Sequence, residues 1–209
     1  MDNYNRIKDS AYFRERGWEQ LSNRWTPAVA VTIVYCFISA LVSSVSATMN
    51  IALLGSIFII PMYYSYYVAF LNNKRTGAEI KIESLFEGYN DYFARVSFTL
   101  LLAYLYMVLW TLLFIIPGIV KSISYSQTVY VLKDYPELSY NQAIERSMAM
   151  MEGHKWQYFG LLLSFIGWFI LIFITFGIAS IWVAPYLAAT SAHFYEYVKE
   201  EYEKKTAAI

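Results

Sequence analysis

The chain has 209 residues, 58% of them hydrophobic and only 15% charged, where soluble domains average about 45–50% and about 25%. Sixteen basic and sixteen acidic residues cancel, which excludes the broad positive field of a nucleic-acid-binding domain. The single cysteine, Cys36, excludes an intrachain disulfide or a multi-cysteine metal site. With a mean hydropathy of +0.38, the composition points to a membrane protein.

Residues 1–25 are polar and do not read as a signal peptide. They carry Arg6, Arg14, Arg16 and Arg24. Trp18, Leu21 and Trp25 fall on one helical stripe, which predicts an amphipathic helix lying at a membrane interface with Trp25 at headgroup depth. No charge occurs over 26–73. That block is long enough for two spans of about 20 residues, expected near 27–47 and 49–71, with Cys36 a small buried hydrophobe in the first. Residues 74–95 are polar again. There Ile82, Leu85, Phe86, Tyr89 and Phe93 make an apolar stripe, and Glu83, Glu87 and Asp91 line another face, predicting a second interfacial helix.

The next charge-free block, 96–120, holds a third span near 96–116 that is expected to turn at Pro117-Gly118. A fourth, over 119–132, is the least apolar because it contains Lys121 and the run Ser124-Tyr125-Ser126-Gln127-Thr128. Residues 134–155 predict a third interfacial helix. Ser139 and Gln142 have the spacing of a capping box, and Tyr140, Ile144, Met148 and Met151 form its stripe. The last charge-free block, 156–195, holds two more spans near 157–176 and 178–198, turning at Gly177. Residues 199–209 form a charged tail.

The expected fold is therefore all-α: one integral membrane domain of about six spans arranged as three helical hairpins. These are 26–73, 96–133 and 156–198, each preceded by an interfacial helix. The same order recurs three times: amphipathic helix, aromatic entry residue (Trp25, Tyr92, Trp156), apolar arm, glycine at or near the turn (Gly55, Gly118, Gly177), and a return arm containing tyrosine. An internal threefold repeat accounts for this, as does the general likeness of membrane hairpins. Lys74, Arg75, Lys81, Arg95, Lys133, Arg146 and Lys155 fall on the side of both termini, which the positive-inside rule assigns to the cytoplasm.

Several stretches together carry a resemblance. They are Phe114-Ile115-Ile116-Pro117-Gly118-Ile119 with Tyr125, Ala143-Ile144 and Ser147 leading to Gly153-His154-Lys155-Trp156, Leu163-Ser164-Phe165-Ile166-Gly167-Trp168, and Pro185-Tyr186 leading to Phe194-Tyr195-Glu196. In this combination the chain resembles an uncharacterised family of bacterial polytopic membrane proteins known only as a domain of unknown function. It departs from that pattern at Ser22-Asn23-Arg24-Trp25, where Gly-Asn-Trp is expected. The resemblance implies a multi-pass protein of the bacterial inner membrane, and it implies no activity.

Candidate chemistry is sparse. There is no metalloprotease His-Glu-x-x-His, nucleophile elbow, P-loop or dinucleotide-binding glycine pattern, so an enzyme is not expected, and neither is a cofactor. Ser124, Tyr125, Gln127 and Thr190 are polar groups at membrane depth, which either line a path or hydrogen-bond across helices. Tyr63, Tyr125 and Tyr186 occupy similar places in the three return arms and could share a pocket. His193 and Glu196 share a helix face, a spacing that suits interfacial hydrogen bonding better than a metal site lacking further ligands. Arg24, Trp25, His154, Lys155 and Trp156 suit contact with lipid headgroups. Membrane lipids are the expected partners, with a membrane-protein partner or a second copy also open. Two functions follow: a non-catalytic lipid- or partner-binding bundle, and a small permease or channel with a tyrosine-lined path between the hairpins.

Overall fold

The computed structural model describes residues 8–90 and 92–207, with backbone alone over 52–54. Arg6 and Asp91 lie outside the described residues. Among the described residues every regular element is helical: α1 Ser10–Leu21, α2 Trp25–Thr48, α3 Ala52–Thr76, a 3-10 helix Ile82–Tyr89, α4 Phe93–Leu113 and α5 Ile115–Tyr125, then α6 Thr128–Asp134, α7 Tyr140–Met150, α8 Lys155–Leu163, α9 Ile166–Ile174 and α10 Ser180–Ala207.

The burial pattern is the reverse of a water-soluble bundle. Three segments are long and apolar enough to cross a membrane: Trp25–Thr48, Phe93–Leu113 and Lys155–Ile174. They are also the segments least covered by protein, with 17%, 22% and 17% of their most apolar windows buried. Phe37, Leu41, Leu105, Leu112, Phe173 and Ile174 all point outward. The less apolar α3, α6 and α10 fill the centre, with Val68, Phe70 and Leu71, then Val131 and Leu132, then Ala188, Phe194 and Tyr195 almost wholly enclosed. Apolar side chains in so large an outward-facing patch are stable against hydrocarbon and costly against water. The molecule is a membrane protein whose polar helices are shielded by apolar ones.

Local sequence sets several boundaries. Asp9 caps α1 by accepting from the Tyr12 amide at 2.8 Å. The Ser139–Gln142 capping box forms at the start of α7, with the Ser139 amide donating to Gln142 Oε1 at 2.9 Å. Asn50 and Phe176, both at positive φ, and Gly177 at φ +92 turn the chain after α2 and α9. Between α4 and α5 the reversal takes a single extended residue, Phe114, at φ −156 and ψ 134.

The turn expected at Pro117-Gly118 therefore lies three residues earlier. Pro117 instead occupies the first turn of α5, where its missing N–H leaves no bond unmade. Gly55 and Gly118 lie inside helices, where their role is close approach. A Cβ on Gly55 would come within 2.6 Å of Ser46 Cβ on α2, and one on Gly118 within 2.7 Å of Thr111 Cα on α4. Small residues at crossings let backbones touch where no hydrophobic drive operates between helices.

Other expectations shift as well. Residues 82–89 form a 3-10 helix, and Ser164-Phe165 interrupts the segment between α8 and α9. The segment 119–132 is divided between α5 and α6 at Ser126-Gln127. Cys36 is exposed on the outer face of α2 beside Phe37, because lipid and not the core receives apolar groups there.

The amphipathic segments pack onto the longer helices in a cyclic order. The 3-10 helix lies on α3, α7 on α4 and α6, and α1 on α10. Gly17 marks the last of these crossings: a Cβ there would meet the Thr190 amide nitrogen at 2.9 Å. Gly17→Ala is expected to destabilise the detergent-solubilised protein by on the order of 1–3 kcal/mol through overpacking. Gly167→Ala, with nothing within 4 Å of its Cβ, should leave the unfolding midpoint unchanged when both are followed by thermal aggregation.

Candidate functional site

The densest polar chemistry gathers where α3 and α6 end beside the middle of α10. Arg75 forks onto Asp134, with both terminal nitrogens 2.6 Å from the two carboxylate oxygens, while its Nε donates to Glu196 at 2.6 Å. Tyr195 Oη and Lys199 Nζ also donate to Asp134, each at 2.7 Å. One carboxylate on α6 thus receives donors from both other central helices. Arg95 of α4 reinforces the same end by donating to the carbonyls of Leu132, Tyr135 and Leu138 at 3.0, 2.7 and 3.1 Å. Those carbonyls lie at and just beyond the C-terminus of α6, where the helix offers no amide to pair them.

Below this node lies an aromatic column with one tyrosine from each central helix. Tyr130 stacks on Tyr195 at 4.8 Å, and Tyr67 meets Tyr130 edge-on at 6.2 Å. The tyrosines that α3, α6 and α10 bring together are Tyr67, Tyr130 and Tyr195. Of the expected trio, Tyr63 and Tyr125 share a groove of about 140 Å³ between α3, α4 and α5. Tyr186 lies apart, packed against Trp18, Phe165 and Trp168. Position along the helix decides this: Tyr63 and Tyr67 lie one turn apart on the same side of α3 with their rings 4.8 Å apart, and Tyr67 is the one that reaches Tyr130.

The expected polar residues at mid-depth are enclosed. Ser124 donates to the Val120 carbonyl, and its own carbonyl accepts from Ser147 of α7 at 2.8 Å. Thr190 bonds back to the Tyr186 carbonyl beneath Gly17. Gln127 is fully buried; its Nε2 donates to Ser126 Oγ at 2.8 Å, while its Oε1 has no partner. Thr128 Oγ1 and Tyr130 Oη are likewise unpartnered.

At the rim, Trp156 is 82% exposed and Trp25 packs edge-on against Trp18. Lys155 and Trp156 border an apolar groove of about 400 Å³ between α5 and α8. His154 contacts Gln157 at 3.1 Å and meets the Tyr197 ring edge-on. His193 and Glu196 separate, since Glu196 belongs to the node while His193 lines a polar basin of about 410 Å³ with Arg24. Among the described residues no cluster of three metal-binding side chains occurs.

Burial alone would push the Asp134 carboxyl up, but the donors from Arg75, Lys199 and Tyr195 overcome it and hold the group down to about 2, against 3.8 when free. A depressed folded-state value means stability that is present above the unfolded value and lost as pH falls through the folded one. Stability in detergent should therefore decline between about pH 4 and pH 2. Asp134→Asn should remove that acid-sensitive component and cost on the order of 2–3 kcal/mol at neutral pH, because two partly buried cations lose their counter-charge. Unfolding midpoints measured across pH for both proteins check this.

The sequence reading missed Arg75, Asp134, Glu196 and Lys199 as a group. A usable signal was present: Arg75 follows Pro61 by the same number of residues as Lys199 follows Pro185. No curated protein and no solved structure matches the chain. Residues 112–202, from the end of α4 through most of α10, match a family model described as "Protein of unknown function (DUF975)", consistent with an uncharacterised family.

Proposed function

We propose that the chain is a multi-pass protein of the bacterial inner membrane and acts as a non-catalytic bundle that binds membrane lipid. In this reading α2, α4 and α8–α9 are lipid-facing arms, each paired with a return arm, namely α3, α5–α6 and α10. The protein then crosses the bilayer six times. The return arms need not be strongly apolar, because the other helices cover them. Residues 115–133, at about 1.5 Å per residue, reach roughly 28 Å, close to the thickness of the hydrocarbon core, and leave Asp134 outside it.

The basic residues Lys74, Arg75, Arg95, Lys133 and Lys155, at the ends of the crossing segments on one side, support placing that side and both termini in the cytoplasm. The cyclic packing of the three amphipathic segments supports the internal repeat. So does the burial pattern, which is identical over residues 21–30 and 151–160.

The observation that carries the lipid-binding reading is the closed centre. Gln127, Thr128, Tyr130 and Thr190 are each no more than 1% exposed, so the polar groups a transport path would use are packed away from solvent. The open features instead face the bilayer or its surface: the Tyr63–Tyr125 groove, the α5–α8 groove and the His193 basin. Lipid tails fit the first two, and the tryptophans at the rim suit the headgroup layer.

One observation favours the second reading, a small permease or channel. Three unpartnered polar atoms, Gln127 Oε1, Thr128 Oγ1 and Tyr130 Oη, lie in this centre, and polar atoms left so are places where water can enter. Gln127→Cys in a Cys36→Ser background separates the two readings. A membrane-impermeant charged thiol reagent is expected to leave residue 127 unlabelled in intact membranes, while labelling would establish a wet path. Tags at either terminus should be accessible only after the inner membrane is opened, and accessibility from the periplasm would overturn the orientation.

A further inference from the structure

We propose that the basin between α1, the end of α3 and α10 is a binding site for a phosphate group at the membrane surface. This deepens the lipid-binding reading by naming one site and the chemistry it takes. The cavity measures about 410 Å³, and Arg24 and Lys74 belong to its wall. Among the described residues neither cation makes an ion pair, although nearby Arg16 is satisfied by Glu19 at 2.9 Å. His193, from α10, also lines the basin, and its Nε2 is buried with no partner.

Two cations that make no ion pair among the described residues share this cavity, and the His193 ring beside them has an enclosed, unpartnered Nε2, which leaves an incomplete polar set. Such a set is completed by an anion with several acceptor oxygens. The amide donors of the wall are already committed, Gln20 Nε2 to the Phe70 carbonyl and to Asn73 Oδ1 and Asn73 Nδ2 to the Ala78 carbonyl, while Gln20 Oε1 has no partner, so the cations are the groups left to meet an anion. Gly77, at φ +69, ends α3 in the left-handed conformation and lines the basin beside Arg24, where an added Cβ would stand 3.7 Å from the guanidinium.

Depth bears on the chemistry. Arg24 immediately precedes the apolar α2, and the Trp18–Trp25 pair borders the same corner at 5.1 Å. The basin therefore sits where phosphodiester headgroups lie, and a phospholipid or free inorganic phosphate would present the same oxygens to it.

The full chain in phosphatidylcholine nanodiscs provides the test, with thermal stability read in two arms: addition of phosphatidylglycerol to the disc, and addition of inorganic phosphate with sulfate-free chloride as the ionic-strength control. The expected result is a rise in unfolding temperature with one or both anions. In R24Q/K74Q the apparent affinity should weaken roughly tenfold or more, in line with loss of charge-assisted contacts. H193F, which keeps both cations, should weaken it less. Gel filtration and circular dichroism of each variant establish that it folds.

A response to phosphatidylglycerol alone assigns a lipid headgroup, and a response to both assigns the phosphate chemistry irrespective of source. Equal responses in wild type and R24Q/K74Q would overturn the basin while leaving lipid binding elsewhere on the bundle intact. No wild-type response in either arm, together with no anionic lipid retained on purification, would overturn both.

Discussion

The bundle depends on how α6 is held. It has only seven residues, far below the length at which a helix persists on its own propensity, yet it occupies the centre of the molecule. Asp134 fastens it sideways to α3 through Arg75 and to α10 through Tyr195 and Lys199. Arg95 fastens it endways by pairing the Leu132 carbonyl and those of Tyr135 and Leu138 just beyond its end. The donors come from three other helices, α3, α4 and α10, so the node converts a marginal helix into the junction of the fold. A partly buried ion network of this kind adds little net stability over an apolar one, but it tolerates no single deletion.

The remainder follows from the solvent. Between helices in hydrocarbon there is no hydrophobic drive, so association rests on close packing and on hydrogen bonds. Both devices recur here. Gly55 against Ser46, Gly118 against Thr111 and Gly17 against Thr190 bring backbones together. Gly88 likewise sits against Pro61, and its amide donates to Ser65 Oγ at 2.7 Å. Pro61 removes one amide from the ladder of α3, and Tyr89 of the 3-10 helix donates its hydroxyl to the Phe58 carbonyl in that neighbourhood. Irregular backbone at depth is satisfied by neighbouring protein, as a membrane requires.

The class of fold, the apolar arms and the capping box of α7 could be read from the chain, because each rests on local pattern: charge-free length, helical periodicity, a Ser/Gln spacing. Turn positions were legible only where a glycine adopts positive φ, as at Gly177. Gly55 and Gly118 look the same in sequence but serve helix contact, which depends on a partner far along the chain. The tyrosine column was out of reach for a similar reason. Tyr63 and Tyr67 lie one helical turn apart on the same side of α3, and which of them meets Tyr130 is fixed by the register of α3 along α6. The node was hidden because its charges sit at the ends of arms, where flanking charge already has a ready explanation in membrane orientation.

That double use of arm ends connects the node to the basin. Along α3, Lys74 and Arg75 are successive residues and so point about 100° apart; one faces the basin and the other the node. Along α10, His193 and Tyr195 divide in the same way. The node fixes the rotation of both helices, because Arg75 engages two carboxylates at once and cannot turn without losing one. The same constraint sets where Lys74 and His193 stand before any anion arrives. A site assembled from three segments ordinarily loses affinity to the ordering of its parts. Here that ordering is done by contacts the fold needs in any case, and α1, locked to α10 at Gly17, brings Arg24 to the remaining wall.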